Sequence, residues 1–164
     1  MKDEHDRLTG ASTRVSRMIN APREVIYEAF LDADALASWL PPGTMTGHVH
    51  TFEPYEGGKF RLSLTYQNVA DSPGGMGGKT SDDSDIVEGR FVELVLNEKI
   101  VWLTEFESEE PGFAGEMRIT WSLADANGGT EVTVLCENIP QGISLEDNET
   151  GSRSSLQKLA AFLE

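Results

Sequence analysis

The 164 residues predict a single α+β domain, spanning 1–164, in which a curved antiparallel sheet of about seven strands wraps a long C-terminal helix, with two short helices after the first strand. Three observations carry that prediction. From Phe60 onward, runs of residues alternate apolar with polar, which is the period of a sheet with one buried face. Short turns join most of these runs, so chain neighbours pair antiparallel. The final stretch, Ser144 to Leu163, changes to helical spacing, and the concave face of the sheet is the economical place for its apolar side.

Taken in order, Thr13 to Ile19 reads as a strand with Val15 and Ile19 on one side. Asn20-Ala21-Pro22 ends it, and Pro22 suits the first turn of a helix. Val25, Ile26, Ala29 and Phe30 give that helix its apolar face. Leu36, Trp39 and Leu40 define a second helix, capped by Asp32 or Asp34 and stopped by Pro41-Pro42-Gly43. Tyr55-Glu56-Gly57-Gly58 is a hairpin turn feeding a strand in which Phe60, Leu62, Leu64 and Tyr66 face one way. Strands follow at Ile86 to Val95, Ile100 to Phe106, Met117 to Leu123 and Thr130 to Cys136, turned by Leu96-Asn97-Glu98 and Asn127-Gly128-Gly129. Residues 1–11 read as a flexible tail, and Ala70 to Asp85, rich in glycine and aspartate without periodicity, as a mobile loop long enough to act as a lid. In the last helix Leu156, Leu159, Ala160 and Leu163 share one face, with Ser144 as cap ahead of Glu146 and Asp147.

Composition narrows the partners. The 28 acids and 13 bases leave a formal charge of -15. Such a surface repels phosphate backbones and anionic headgroups, so neither nucleic acid nor membrane is an expected partner. Cys136 is the single cysteine, which leaves no intramolecular disulfide and fits a reducing compartment. Met1 to Gly10 lacks the apolar stretch of a signal peptide, so the expected location is cytoplasmic.

Familiar catalytic and cofactor motifs do not fit. Gly74, Gly75, Gly77 and Gly78 before Lys79-Thr80 look like a phosphate loop, but Pro73 stands where the motif needs its first glycine. His48 and His50 share a strand face without an evident third ligand, so no metal is expected, and no cofactor either. Neither a serine elbow, a Cys–His pair nor a HExxH helix is present.

A family resemblance runs through Asn20-Ala21-Pro22-Arg23-Glu24-Val25-Ile26-Tyr27, Leu36-Ala37-Ser38-Trp39-Leu40-Pro41, Gly57-Gly58-Lys59-Phe60, Gly89-Arg90-Phe91-Val92-Glu93-Leu94, Lys99-Ile100-Val101-Trp102, Gly129-Thr130-Glu131-Val132-Thr133-Val134 and Ser155-Leu156-Gln157-Lys158-Leu159. In order and spacing these segments resemble the START-like or SRPBCC superfamily, and within it the activator of heat-shock-protein-90 ATPase homologue-like (AHSA-type) family. The resemblance implies the helix-grip fold, shared with lipid carriers, plant hormone receptors and aromatic polyketide cyclases. The eukaryotic chaperone activators join such a domain to a separate N-terminal one, to which nothing in this sequence corresponds.

The candidate site lies between sheet and helix. Trp39, Phe60, Leu62, Leu64, Phe91, Trp102, Phe106, Met117, Ile119 and Trp121 form an aromatic-rich set on inward strand faces and at the second short helix. Opposite them, Asn148, Gly151, Ser152 and Ser155 occupy positions where a tightly packed helix would carry leucines, before Leu156 and Leu159 resume the apolar face. The expected function is therefore binding of a small hydrophobic or aromatic molecule in a cavity, with no catalytic residue assigned. The alternatives are a polyketide cyclase-like enzyme using one desolvated pocket group, with Glu88, Arg90, Glu105 and Arg118 as candidates, and a chaperone-interaction module. Arg17 reads as facing the sheet, paired with an acid or meeting a ligand anion, and homodimerisation through an outer sheet face or the 70–85 loop is left open.

Overall fold

The computed structural model describes residues 11–67, 78–79, 81 and 83–164. The expected N-terminal tail, the glycines at 74, 75 and 77, and most of the expected loop lie outside the described residues. The chain runs as β1 (Ser12–Ile19), α1 (Arg23–Phe30), α2 (Ala33–Trp39), β2 (Thr46–Phe52), β3 (Lys59–Thr65), β4 (Ser84–Val95), β5 (Lys99–Phe106), β6 (Met117–Ala126), β7 (Gly129–Glu137) and α3 (Leu145–Leu163). All seven strands form one antiparallel sheet in the order β1-β7-β6-β5-β4-β3-β2, the helix-grip topology that the alternation and the turns predict.

Local chemistry sets the boundaries. Asp32, and not Asp34, caps α2, its carboxylate accepting from the amides of Asp34 at 2.9 Å and Ala35 at 3.1 Å. Ser144 caps α3 by accepting from the Asp147 amide at 3.0 Å, with Glu146 and Asp147 at the positive end of the helix dipole. The β6–β7 turn closes over two residues because Gly128 holds φ at +86°, a conformation that favours glycine. At Gly89 the need is space. A Cβ there would stand 2.5 Å from the ring of Phe60, its cross-strand partner, which lies across the β4 backbone.

One boundary that differs from the sequence reading bears on the site. β4 begins at Ser84, where Ser84 pairs with Thr65 and Asp85 with Leu64, so the end of the expected 70–85 loop is strand. Two polar residues hide that extension from a periodicity argument. Its consequence is that Asp85 is held in register on the buried face, only 3% exposed.

The core gathers at one end of the concave face. Phe30 of α1 meets Trp39 and Trp121 edge-on at ring-centroid distances of 4.7 and 5.0 Å, and the Trp39 indole donates to the Ala29 carbonyl at 3.0 Å. α3 lies mainly against β1 and α2. The part of the concave face under β3 to β6 is thereby left without a close helix above it.

Charged side chains of the middle strands line the other face. Arg61 pairs with Glu88 and, at 2.8 Å, with Glu107, while Arg90 pairs with Glu116 at 3.5 Å and Lys99 with Glu93 at 3.3 Å. Glu88, Arg90, Glu105 and Arg118 alternate with the inward residues of β4, β5 and β6, so none reaches the interior as a pocket acid or base. Arg17 is exposed and does not line the interior. Among the described residues no helix is long and apolar enough to cross a membrane.

Candidate ligand cavity

Between the sheet and the first half of α3 lies a cavity of about 600 Å³, partly open to solvent. That volume falls within the usual range for small-molecule sites, roughly 300–1,000 Å³. Twelve of the residues picked from sequence line it: Phe60, Leu62, Leu64, Trp102, Phe106, Met117, Ile119 and Trp121 from β3, β5 and β6, and Asn148, Gly151, Ser152 and Ser155 from α3. The other four do not. Trp39, Phe91, Leu156 and Leu159 are fully buried in the core: Trp39 packs from α2 against Phe30 and Trp121, Phe91 lies among Phe52, Phe60 and Trp102, and α3 has settled onto its neighbours by the turn that carries the two leucines.

The polar positions of α3 have two separate explanations. Ser155 donates to the Leu40 carbonyl at 2.6 Å, Ser154 accepts from the Gly43 amide at 2.7 Å, and Lys158 donates to the Pro41 carbonyl. These contacts satisfy backbone groups that α2 and Pro41-Pro42-Gly43 would otherwise leave orphaned near the helix. Burial pushes the Lys158 ammonium below its ordinary pKa. Asn148 and Ser152 belong instead to a small network in the cavity wall. Thr13 donates to the Asn148 side-chain carbonyl, and the Cys136 thiol is pushed up by burial while Ser152, Thr13 and Asn148 oppose the shift through hydrogen bonds.

A polar corner escaped the sequence reading. Asp85 accepts from the Lys79 amide at 2.5 Å and from its ammonium at 3.1 Å. The ammonium sits 4.7 Å from the ring centre of Phe106 and 5.9 Å from that of Phe113. Tyr66, the next inward residue beyond Leu64, also lines this corner, and Glu110 and Asp147 stand exposed at the rim. Tyr66 alone had a legible signal, since it continues the alternation of β3. Lys79 and Asp85 lie where the chain has no period, so only the fold brings them to the cavity.

Tyr66 is the strongest titration marker of the site. Burial first, and then the charges of Asp85 and Asp147, push its phenol up to about 12. A phenol is neutral when protonated, so a raised folded pKa favours folding below the unfolded value of about 10 and loses that contribution as pH climbs toward 12. Burial, and then the charge of Glu56, also raise the buried Tyr27, so ultraviolet titration of folded protein should show tyrosine ionisation above the ordinary range, and Tyr66→Phe should diminish it by one tyrosine. An undiminished late transition in Tyr66→Phe would reject the assignment.

One further feature lies in the cavity wall, and one lies outside it. Trp102 and Trp121 stand in the wall with their indole N–H groups buried, and neither finds an acceptor among the described residues. His48 and His50 lie with ring centres 4.6 Å apart on β2, and the Nε2 of His50 is 2.6 Å from the Ser63 hydroxyl. Among the described residues no three His, Cys, Asp or Glu side chains come together as a metal site.

Comparison with known proteins agrees with this geometry. The family model described as Activator of Hsp90 ATPase homolog 1-like protein matches residues 20–164. A crystal structure of a protein from Chromobacterium violaceum is 30% identical, covers 94% of this chain and 99% of its own, and superposes with a TM-score of 0.78. A protein from Rhizobium loti is 20% identical, with 93% and 96% covered and a TM-score of 0.72. DynU16, from the dynemicin biosynthetic locus, is 16% identical, with 94% of this chain and 47% of its own covered and a TM-score of 0.63. The last two show the fold alone. The comparison with curated proteins finds no match.

Proposed function

We propose, from the premise that this chain belongs to the Activator of Hsp90 ATPase homolog 1-like family, that it is a binding module for a small hydrophobic or aromatic molecule held between the sheet and α3. The observation that supports this reading is the cavity itself, about 600 Å³ walled chiefly by Phe60, Leu62, Trp102, Phe106, Met117 and Ile119. A flat ligand burying about 300 Å² of apolar surface there gains about 7.5 kcal/mol in gross terms at about 25 cal/mol per Å². Losses on association lower that gross figure, so the apolar term alone gives an affinity weaker than micromolar, and tight binding requires polar contacts in addition. The activity in the family's name describes the proteins so named and is not carried over to this chain.

The test is a thermal-unfolding screen against lipids, flavonoids and polycyclic polyketides. A ligand present at 100 times its Kd should add about 2.7 kcal/mol to the unfolding free energy and raise Tm by roughly 5–10 °C. A broad library without a single shift at high concentration would remove the support for this reading.

A further inference from the structure

We propose that the cavity selects molecules carrying a neutral carbonyl oxygen on an aromatic or polycyclic body, and that Lys79 is the residue that reads this oxygen; the proposal rests on the binding reading above. Lys79 is the single cation among the described residues of the cavity wall. Its ammonium carries three N–H donors, of which Asp85 accepts one at 3.1 Å. The faces of Phe106 and Phe113 hold the charge in place without supplying an oxygen acceptor. Asp85 also accepts the Lys79 amide, so one buried carboxylate fixes both the backbone and the head of the side chain. A donor positioned in this way before binding loses little freedom when it meets a ligand acceptor.

The rest of the wall points the same way. The two indole N–H groups of Trp102 and Trp121 have no acceptor among the described residues, and the Tyr66 hydroxyl at this corner stays protonated. A hydrocarbon ligand would leave the corner's donors facing an apolar surface, which is costly. A carboxylate would meet the opposite difficulty. Asp85 already neutralises Lys79, Glu110 and Asp147 stand at the rim, and the whole chain carries -15. A neutral carbonyl accepts the donors without adding a charge.

Three probes of similar shape separate the cases: 9-fluorenone, fluorene and 9-fluorenecarboxylate, each titrated into the whole chain by calorimetry. The ketone should bind about tenfold more tightly than the hydrocarbon, even though the hydrocarbon is the more hydrophobic. Its carbonyl stretch should move to lower wavenumber in the complex than in an alkane. Lys79→Met should bring fluorenone and fluorene to equal affinities and abolish the infrared shift. Because that variant leaves Asp85 buried without its ammonium, Lys79→Met/Asp85→Asn repeats the test if the single variant does not fold. Equal affinities for ketone and hydrocarbon, a tighter carboxylate, or a preference that survives both variants overturns the role of Lys79 while the binding reading stands. If no probe and no library member shifts unfolding, the binding reading falls and takes this one with it.

Discussion

Replacing Trp39 by alanine should lower the unfolding free energy by about 3–5 kcal/mol, the usual range for deleting a fully buried tryptophan. The indole fills the space between α2 and the sheet, edge-on to Phe30 at 4.7 Å and to Trp121 at 5.5 Å. Its N–H is also the partner of the Ala29 carbonyl, so truncation removes packing and a buried hydrogen bond together. Urea unfolding followed by circular dichroism would measure the loss, which corresponds to a fall in Tm of roughly 10–15 °C for a chain of this size. Trp39→Phe should lose less, since a ring remains against Phe30 while the donor to Ala29 is gone. The alternative, that Trp39 is a ligand contact, makes the reverse forecast of impaired binding with near-native stability. A loss under about 1 kcal/mol would place Trp39 outside the core.

The contrast between Trp39 and Trp102 marks what the amino-acid pattern could and could not convey. Period-2 alternation assigns a side chain to a face, and on that basis Phe60, Leu62, Trp102, Met117 and Trp121 were correctly turned inward. It does not locate a residue along the face. Phe91 shares its side of the sheet with Phe60, and their rings lie 5.4 Å apart, yet Phe60 lines the cavity and Phe91 is sealed in the core. The difference arises from packing, since Phe91 is enclosed by Phe52, Phe60 and Trp102 from three other strands, which is a tertiary fact. Parity also decides against Glu88, Arg90, Glu105 and Arg118, and the sequence carried enough to see this, because each directly follows an inward residue.

Ser155 teaches a different lesson. Its polarity on the inward side of α3 signals open space, and Ser155 does line the cavity. Its hydroxyl, however, is committed to the Leu40 carbonyl, a helix-end group from far away in the chain. Lys79 and Asp85 show the limit most clearly. They come from a stretch without apolar rhythm, and only the pairing of Asp85 with Leu64 places them at the cavity. Polar recognition groups placed by non-local pairing leave no periodic trace.

Gly151→Phe should weaken binding roughly a hundredfold while leaving the fold intact. Gly151 lies in the middle of α3 and lines the cavity, and a Cβ built on it meets only Pro42, at 3.9 Å, an ordinary contact distance. Space for a larger side chain is therefore available only toward the void. A phenylalanine placed there occupies volume that the ligand needs, and forcing both into one cavity costs about 3 kcal/mol, or roughly a hundredfold in affinity. The protein itself should lose little, because a helix-interior glycine is worth about 0.5–1 kcal/mol less than alanine and the substitution recovers part of that. Gly151→Ala is the matched control, expected to raise stability by that amount and to leave affinity nearly unchanged. Titration of a library hit into both variants, alongside their urea midpoints, separates occlusion from unfolding. If Gly151→Phe bound the hit as tightly as the parent chain, the ligand would have to sit somewhere other than between α3 and the sheet, since no apolar molecule of that size could share the space with the new ring.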